Sequence, residues 1–102
     1  MAKLDSKNRL TIPNNLIQSV DTDFKKDIFL YFEGNEFYLD NASKGNFNKH
    51  CLGKIVFGPK NRICIPKEAR KFLRLDSSSN IACYVTRGHI TFKKIVFIPE
   101  NR

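Results

Sequence analysis

Two arginines of this chain follow turns of similar composition and open runs of similar pattern. The segment Lys7-Asn8-Arg9-Leu10-Thr11-Ile12-Pro13 returns 53 positions later as Lys60-Asn61-Arg62-Ile63-Cys64-Ile65-Pro66. A guanidinium carries several N–H donors in a planar fork, so it can bind a phosphate or a guanine edge through paired hydrogen bonds. The lysine and the arginine of each segment are therefore candidate ligands for nucleic acid.

A second set of basic residues has the spacing of one helix face. Four cations stand at positions i, i+3, i+4 and i+7, namely Lys67, Arg70, Lys71 and Arg74. The apolar residues Ala69, Phe72 and Leu73 would occupy the opposite face. Helical charges usually do no more than face solvent, but these like charges repel one another, and Glu68 alone stands near to compensate them. An anionic partner explains such a stripe better, and contacts with phosphates would make its binding salt-dependent.

Asp5 gives Arg9 an alternative role within the fold. An ion pair between the two side chains would hold the turn in shape. This role is compatible with DNA contact, because a carboxylate can also orient a guanidinium. The second copy has Gly58 where Asp5 stands, so this half of the motif is incomplete at Arg62.

The repetition extends well beyond the two arginine segments. The same offset, without a gap, pairs Ile28 with Ile81 and Tyr31 with Tyr84. It indicates two copies of one small unit, and neither copy is long enough to bury a convincing core alone, so we expect one shared core. The predicted divisions are a first repeat at residues 1–40, a linker at 41–49, a second repeat at 50–98 and a short tail at 99–102.

Each repeat predicts the element order β-β-α-β-β. A short extended segment and a Lys/Asn-rich turn precede the arginine strand, and the proline that ends this strand suits the first turn of a helix. Helices are expected around Asn14–Val20 and after Pro66. Hairpins are expected at 28–39, with a turn over Glu33-Gly34-Asn35, and at 81–93, with a turn at Arg87-Gly88. The predicted fold class is mainly β with short helices.

The charge of the chain is strongly basic and unevenly distributed. Its 102 residues contain 18 Lys and Arg against 10 Asp and Glu, a formal net charge of +8. Residues 1–49 hold seven of each sign and sum to zero, whereas residues 50–102 hold eleven basic residues against three acidic ones. A basic excess commonly marks a nucleic-acid or acidic-surface partner.

Several classes of protein are disfavoured. No apolar run approaches the roughly 20 residues that span a bilayer, and the N-terminus has no apolar signal-peptide region. Three cysteines without a CxxC spacing argue against a disulfide framework and a zinc site, and they suit a reducing cytoplasm. No catalytic constellation or phosphate loop is recognisable. We expect a cytoplasmic protein that is not an enzyme, with no cofactor, metal, membrane partner, small-molecule substrate or pocket.

The combined pattern resembles the AbrB/SpoVT/MraZ superfamily of bacterial transcription regulators. The likeness lies in the arginine strand that ends at Ile-Pro, the short helix with a late arginine and the hairpin that follows, over about residues 2–40 and 55–93. Members have a swapped-hairpin β-barrel, in which two β-β-α-β-β units interleave their hairpins, and the tandem arrangement resembles the MraZ-like form. The resemblance implies one pseudo-twofold barrel and sequence-specific binding of double-stranded DNA in the nucleoid. It leaves open a homo-oligomer such as a dimer or ring.

Individual residues match the motifs of this family in part. Asp5-Ser6-Lys7-Asn8-Arg9 matches the MraZ-type Asp-x-x-x-Arg motif, and Arg70 with Lys71 matches the basic pair of the AbrB-like helix. Repeat one has Ile17 and Gln18 in place of that pair. The candidate DNA-binding residues are Lys3, Lys7, Arg9, Lys60, Arg62, Lys67, Arg70, Lys71 and Arg74.

The turn before each arginine departs from the family pattern. Asn8 and Asn61 stand where the family commonly has glycine. Asparagine tolerates positive φ best after glycine, so the turn can form here too. We expect left-handed backbone at both positions.

Two other functions fit the same residues less well. An antitoxin or other protein-interaction module could use this barrel, but antitoxins of this fold usually add a toxin-wrapping tail, and only a few residues follow Ile98. A small RNA-binding or ribonuclease-type barrel would suit the basic charge, although no catalytic constellation supports cleavage. Binding of a partner protein, or of RNA, would distinguish these functions from DNA regulation.

Overall fold

Strands dominate the fold. The computed structural model describes residues 2–41 and 50–96, which form seven strands and two α-helices. In chain order these are β1 (Arg9–Thr11), α1 (Asn14–Ile17), β2 (Ile28–Glu33), β3 (Glu36–Asn41), β4 (His50–Ile55), β5 (Arg62–Cys64), α2 (Lys67–Leu73), β6 (Asn80–Thr86) and β7 (His89–Ile95). The prediction of a mainly β fold with short helices is confirmed. In the described ranges, neither helix is long and apolar enough to cross a membrane.

The strands pair antiparallel and form two sheets. β1 and β5 make a two-stranded ribbon, and the other strands make a sheet of order β4-β2-β3-β7-β6. Beyond β6, Ala2 forms an isolated antiparallel bridge to Ile81. Within residues 2–41 and 50–96 no strand pair joins β4 to β6, so the sheet stays open and the predicted closed barrel is not found.

One apolar cluster joins the ribbon to the five-stranded sheet. Leu10 and Ile63 lie opposite one another in the ribbon, and both are fully buried. The sheet contributes Phe37 and Phe92, whose rings stack with their centroids 5.0 Å apart. Since side chains alternate along a strand, burial of the two ribbon centres turns their neighbours outward. The core therefore decides which face of the ribbon meets solvent.

Several backbone pairs obey the offset of 53 residues that relates the two arginine segments. In the pairs Leu10–Ile63 and Tyr38–Thr91, the two partners are themselves 53 positions apart. The pairs Ala2–Ile81 and Ile55–Ile28 are related to each other by this offset, and we call them the exchanged couple. In the exchanged couple, the first extended segment of each predicted repeat pairs with a strand of the other. The two halves of the chain thus meet through equivalent positions.

Both helices depart from their predicted extents. α1 ends at Ile17 instead of near Val20, where a tighter turn closes it: the Ser19 amide donates to the Leu16 carbonyl at 3.0 Å. α2 stops before Arg74, which adopts a left-handed conformation with φ of 55°. Arg74 therefore caps the helix, and the helical basic face holds three of the four predicted cations.

The hairpins lie where the sequence predicts them. β2 and β3 join at Gly34-Asn35, so the first turn is one residue shorter than predicted, and β6 joins β7 at Arg87-Gly88. Asn41, the first residue of the predicted linker, is the last residue of β3. The rest of that linker, residues 42–49, and the predicted tail at 99–102 lie outside the described residues.

Candidate nucleic-acid interface

The ribbon presents both arginines on its outer face. The residues that flank its two buried centres point outward, and they are Arg9, Thr11, Arg62 and Cys64. Arg9 lies opposite Cys64, and Arg62 lies opposite Thr11. The two arginines are thus diagonal neighbours, for which a spacing of roughly 7–8 Å is typical. We call β1 and β5 together the arginine ribbon.

Asp5 holds Arg9 in place. The Arg9 Nε atom donates to Asp5 Oδ2 at 2.9 Å, while Asp5 Oδ1 accepts the Arg9 amide at 2.9 Å and the Lys7 amide at 2.8 Å. These contacts lower the pKa of the Asp5 carboxyl from its ordinary value, chiefly through the Arg9 amide hydrogen bond. The predicted ion pair is confirmed, and Arg9 is oriented and partly neutralised.

Arg62 follows a second turn, which closes with an equivalent backbone hydrogen bond but has Gly58 in place of Asp5. The Gly58 amide donates to the Arg62 carbonyl at 2.8 Å, just as the Asp5 amide donates to the Arg9 carbonyl at 2.9 Å. In the described part of the chain, Arg62 has no ion pair, and its Nε atom is buried without a hydrogen-bond partner. Among the described residues, the charge of Arg62 therefore has no ion-pair partner, whereas that of Arg9 is paired with Asp5.

The two turns have the left-handed residues that the sequence predicts, and one more. Asn8 has φ of 59° and Asn61 has φ of 57°, which confirms the prediction for both asparagines. Lys60 also has φ of 60°. A side chain with a Cβ in this conformation costs roughly 1–2 kcal/mol. The second turn therefore carries backbone strain at Lys60, two residues before Arg62, that the first turn lacks.

Tertiary contacts bring α2 to the Arg9 end of the arginine ribbon. The Ile65 amide donates to the Asn8 carbonyl at 3.0 Å, and Cys64 Sγ lies 3.9 Å from the Lys7 carbonyl oxygen. Arg70 Nε donates to the Ile65 carbonyl at 3.1 Å, which ties α2 to the same point. The Lys7 and Arg9 segment thus lies beside the start of α2. We call this region the α2 end of the ribbon.

The opposite end of the ribbon has the same backbone frame and different side chains. The Ile12 amide donates to the Asn61 carbonyl at 2.8 Å, so Lys60 and Arg62 lie beside the start of α1. No residue of α1 is charged. Ile17, the counterpart of Arg70, is half-buried and packs against the apolar core. We call this region the α1 end of the ribbon.

Helix α2 directs its remaining cations into solvent. Ala69 is fully buried, and Phe72 packs against the Phe32 and His50 rings at centroid distances of 5.0 and 5.2 Å. On the other side, Lys67 and Lys71 are exposed. Because the Ala69 side of α2 faces the protein, these two charges on the opposite side are available to a partner.

Two of the nine candidate residues are not placed at the ribbon by any described contact. Arg74 lies at the far end of α2, where its carbonyl accepts a hydrogen bond from Lys94 Nζ at 2.6 Å. Lys3 is exposed and follows Ala2, which bridges to β6 of the large sheet. The other seven candidates are on the ribbon, in its turns or on α2.

Comparison with protein-family models, with curated protein sequences and with solved structures finds no match for this chain.

Sequence reasoning did not show which side chains lie opposite the two arginines. Thr11 is exposed opposite Arg62, and Cys64 is exposed opposite Arg9. The alternation of each arginine strand carries this signal, because a residue two positions from an outward arginine also points outward. The pairing of one strand with the other could not be read from that alternation alone.

A groove of about 290 Å³ lies along the outer side of the large sheet and its hairpin turns. Its lining includes Glu33, Glu36, Tyr38, Arg87 and His89. The Tyr84 hydroxyl donates to Glu36, and burial together with this carboxylate raises the pKa of Tyr84 to about 12. The sequence predicted a surface without a pocket, and the groove corrects that expectation. Among the described residues, no group of His, Cys, Asp or Glu side chains could hold a metal ion.

The ribbon and α2 together offer fixed and exposed hydrogen-bond donors to an anion. Arg9 is oriented by Asp5, Arg62 has no ion pair within residues 2–41 and 50–96, and Lys67 and Lys71 are exposed. Guanidinium groups bind phosphate or guanine bidentately, and ammonium groups act as point charges. This arrangement suits a regularly spaced polyanion.

Proposed function

We propose that this chain is a DNA-binding transcription regulator that contacts double-stranded DNA through the arginine ribbon and α2. The observation that carries the proposal is the outward placement of Arg9 and Arg62 on one face of a two-stranded ribbon, with Arg62 lacking any carboxylate partner among the described residues. The major groove of B-DNA admits a two-stranded β-ribbon, and arginine commonly contacts guanine there. The exposed lysines of α2 would then position the protein on the phosphates.

We further propose that the two halves form a pseudo-twofold, swapped-hairpin arrangement like that of the AbrB/SpoVT/MraZ regulators that the sequence resembles. Support comes from the backbone pairs that obey the offset of 53 residues, above all the exchanged pairs of Ala2 with Ile81 and Ile55 with Ile28. Each half lends its first extended segment to the other. A two-fold axis through the Leu10–Ile63 pair would relate Arg9 to Arg62.

A salt titration tests the function. Binding is measured to a short duplex from upstream of the chain's own gene and to a scrambled duplex of the same composition. We expect affinity that falls steeply with salt and that stays much tighter for the upstream sequence. Equal and weak binding to both duplexes would count against a sequence-specific regulator. It would direct the search to a protein partner or to RNA.

Alanine variants test the site. Arg62→Ala and Arg70→Ala, singly and together, should weaken binding of the upstream duplex by about tenfold or more for the double variant, because each removes a charged donor. Arg87→Ala is the matched control, since Arg87 is an exposed arginine in the turn between β6 and β7 of the large sheet and belongs neither to the ribbon nor to α2. Unchanged affinity in a folded double variant would refute the site while leaving DNA binding itself in place.

A further inference from the structure

We infer that the chain binds DNA in one fixed orientation and recognises a duplex sequence that is not palindromic. This inference rests on the proposed function. It follows from the difference between the two ends of the arginine ribbon. A symmetric DNA-binding protein presents the same side chains at both ends of its recognition surface and so matches a palindrome. This ribbon has a symmetric backbone and asymmetric side chains.

The symmetry of the backbone is visible in its hydrogen bonds. At the α2 end the Ile65 amide donates to Asn8 at 3.0 Å, and at the α1 end the Ile12 amide donates to Asn61 at 2.8 Å. Both turns also close by a bond to the carbonyl of their arginine, at 2.9 and 2.8 Å. Each end can therefore approach a DNA strand in the same way.

The charge of the two ends differs. The α2 end gathers cations from both halves of the chain, namely Lys7, Arg9, Lys67, Arg70 and Lys71. The α1 end has Lys60 and Arg62, and the adjoining helix is uncharged. Counterion release scales with the number of phosphates neutralised, so the α2 end would supply most of the salt-dependent affinity.

The state of the arginine differs as well. At the α2 end, Asp5 binds Arg9 through Nε and limits the directions its guanidinium can take. At the α1 end, Gly58 replaces the carboxylate, and Arg62 has no ion pair within the described ranges. A guanidinium without a carboxylate partner keeps its full charge for a ligand, whereas a paired one is partly neutralised. The two ends would therefore prefer different half-sites.

The orientation is tested by cleavage from a tethered probe. Duplexes are first selected from a randomised library by the purified full chain. An iron-chelate cleavage reagent is then attached at Asn15→Cys on α1 or at Glu68→Cys on α2, in a background with Cys51→Ser and Cys64→Ser. Asn15 and Glu68 are both exposed and are 53 positions apart, so the two probes are matched.

We expect each probe to cut the selected duplex near one end only, and the two probes to cut at opposite ends. Palindromic duplexes built from either half of the selected site should bind about tenfold or more weakly than the selected site itself. Equal cutting at both ends by each probe, or a palindromic selected sequence, would overturn the fixed orientation while leaving DNA binding intact. Failure to select any duplex would overturn the proposed function, and this inference with it.

Discussion

The two arginines of the ribbon differ in that only Arg9 is paired with a carboxylate among the described residues. Asp5 accepts two backbone amides of its turn and binds Arg9 Nε at 2.9 Å, whereas Gly58 supplies only a backbone amide. The turn before Arg62 therefore forms without a side-chain acceptor. Its second half contains Lys60 and Asn61 in left-handed conformation. The turn before Arg9 is thus held by a carboxylate, whereas the turn before Arg62 contains one more left-handed residue.

Acid should weaken the fold partly through Asp5. Its pKa in the folded chain is lower than the ordinary 3.8, so its contribution to stability is present above that value and is lost as pH falls through the lower folded pKa. Asp5→Asn should flatten the acid side of the stability profile, measured by urea unfolding between neutral pH and about pH 2. An acid slope identical to that of the unsubstituted chain would contradict this assignment.

Asp76, between α2 and β6, provides a second test of how acid affects stability. Hydrogen bonds from the hydroxyl and the amide of Ser78 lower the pKa of its carboxyl. Asp76→Asn should therefore also flatten the acid slope, and it should leave DNA binding unchanged because this turn is outside the proposed interface.

Lys60 should lower the stability of the fold and strengthen DNA binding. Glycine has no Cβ, so Lys60→Gly relieves the left-handed strain at φ of 60°, whereas Lys60→Ala removes the charge and keeps the Cβ. We expect the glycine variant to be more stable to urea than the alanine variant by about 1 kcal/mol. Both should bind DNA more weakly than the unsubstituted chain. Equal stability of the two variants would show that the strain is absent.

At the scale of elements, the hairpin turns differ in what surrounds them. Gly88 has φ of 79°, and a Cβ there would clash with Asp21 Oδ2. The Asp21 amide also donates to the Gly88 carbonyl at 2.9 Å, which joins the segment after α1 to the turn between β6 and β7. Gly34 has φ of 66°, but a Cβ there would meet nothing within 4 Å. Alanine at Gly34 would therefore meet backbone strain alone, whereas alanine at Gly88 would also meet a steric conflict.

Alanine at these glycines should therefore have unequal effects. Gly34→Ala should cost about 1 kcal/mol of unfolding free energy, because only the left-handed conformation is penalised. Gly88→Ala should cost slightly more, since the exposed Asp21 side chain must also turn away from the new Cβ. The free energies are measured by urea unfolding of both variants. If Gly88→Ala proved the less destabilising of the two, the contact with Asp21 would be wrong.

At the scale of the whole molecule, the ribbon and the large sheet place the three cysteines in different environments. Cys64 is exposed on the outer face of the arginine ribbon, and Cys51 is exposed on β4 at the edge of the large sheet. Cys83 is half-buried on β6, and burial raises the pKa of its thiol to about 11. Cys64 and Cys51 can therefore report the accessibility of the two surfaces, and Cys83 can report unfolding.

Alkylation should distinguish these surfaces. With a saturating duplex we expect iodoacetamide to modify Cys64 several-fold more slowly than in the free chain, because the ribbon is covered. The rate at Cys51 should stay the same, and Cys83 should react slowly in both states because its thiol holds its proton. Rates are measured by peptide mass spectrometry. An unchanged rate at Cys64 in a demonstrably bound complex would place the DNA elsewhere on the protein.

The sequence by itself determined the local features of this protein. The left-handed asparagines, the two hairpins, the β-dominated fold and the ion pair of Asp5 with Arg9 depend on residues within a few positions of one another, so turn chemistry and alternation suffice to predict them. Helix ends were less predictable, since the left-handed Arg74 and the tight turn after α1 depend on how each helix meets its neighbours.

The tertiary structure alone decided how those features combine. In the sequence, the cations of α2 stand close to Lys60 and Arg62. Pairing of β1 with β5 instead sets α2 beside Lys7 and Arg9, more than 50 residues away in sequence. The physical reason is that an antiparallel ribbon joins the end of one strand to the beginning of the other. Register across that ribbon is a property of the shared core, and no local pattern contains it.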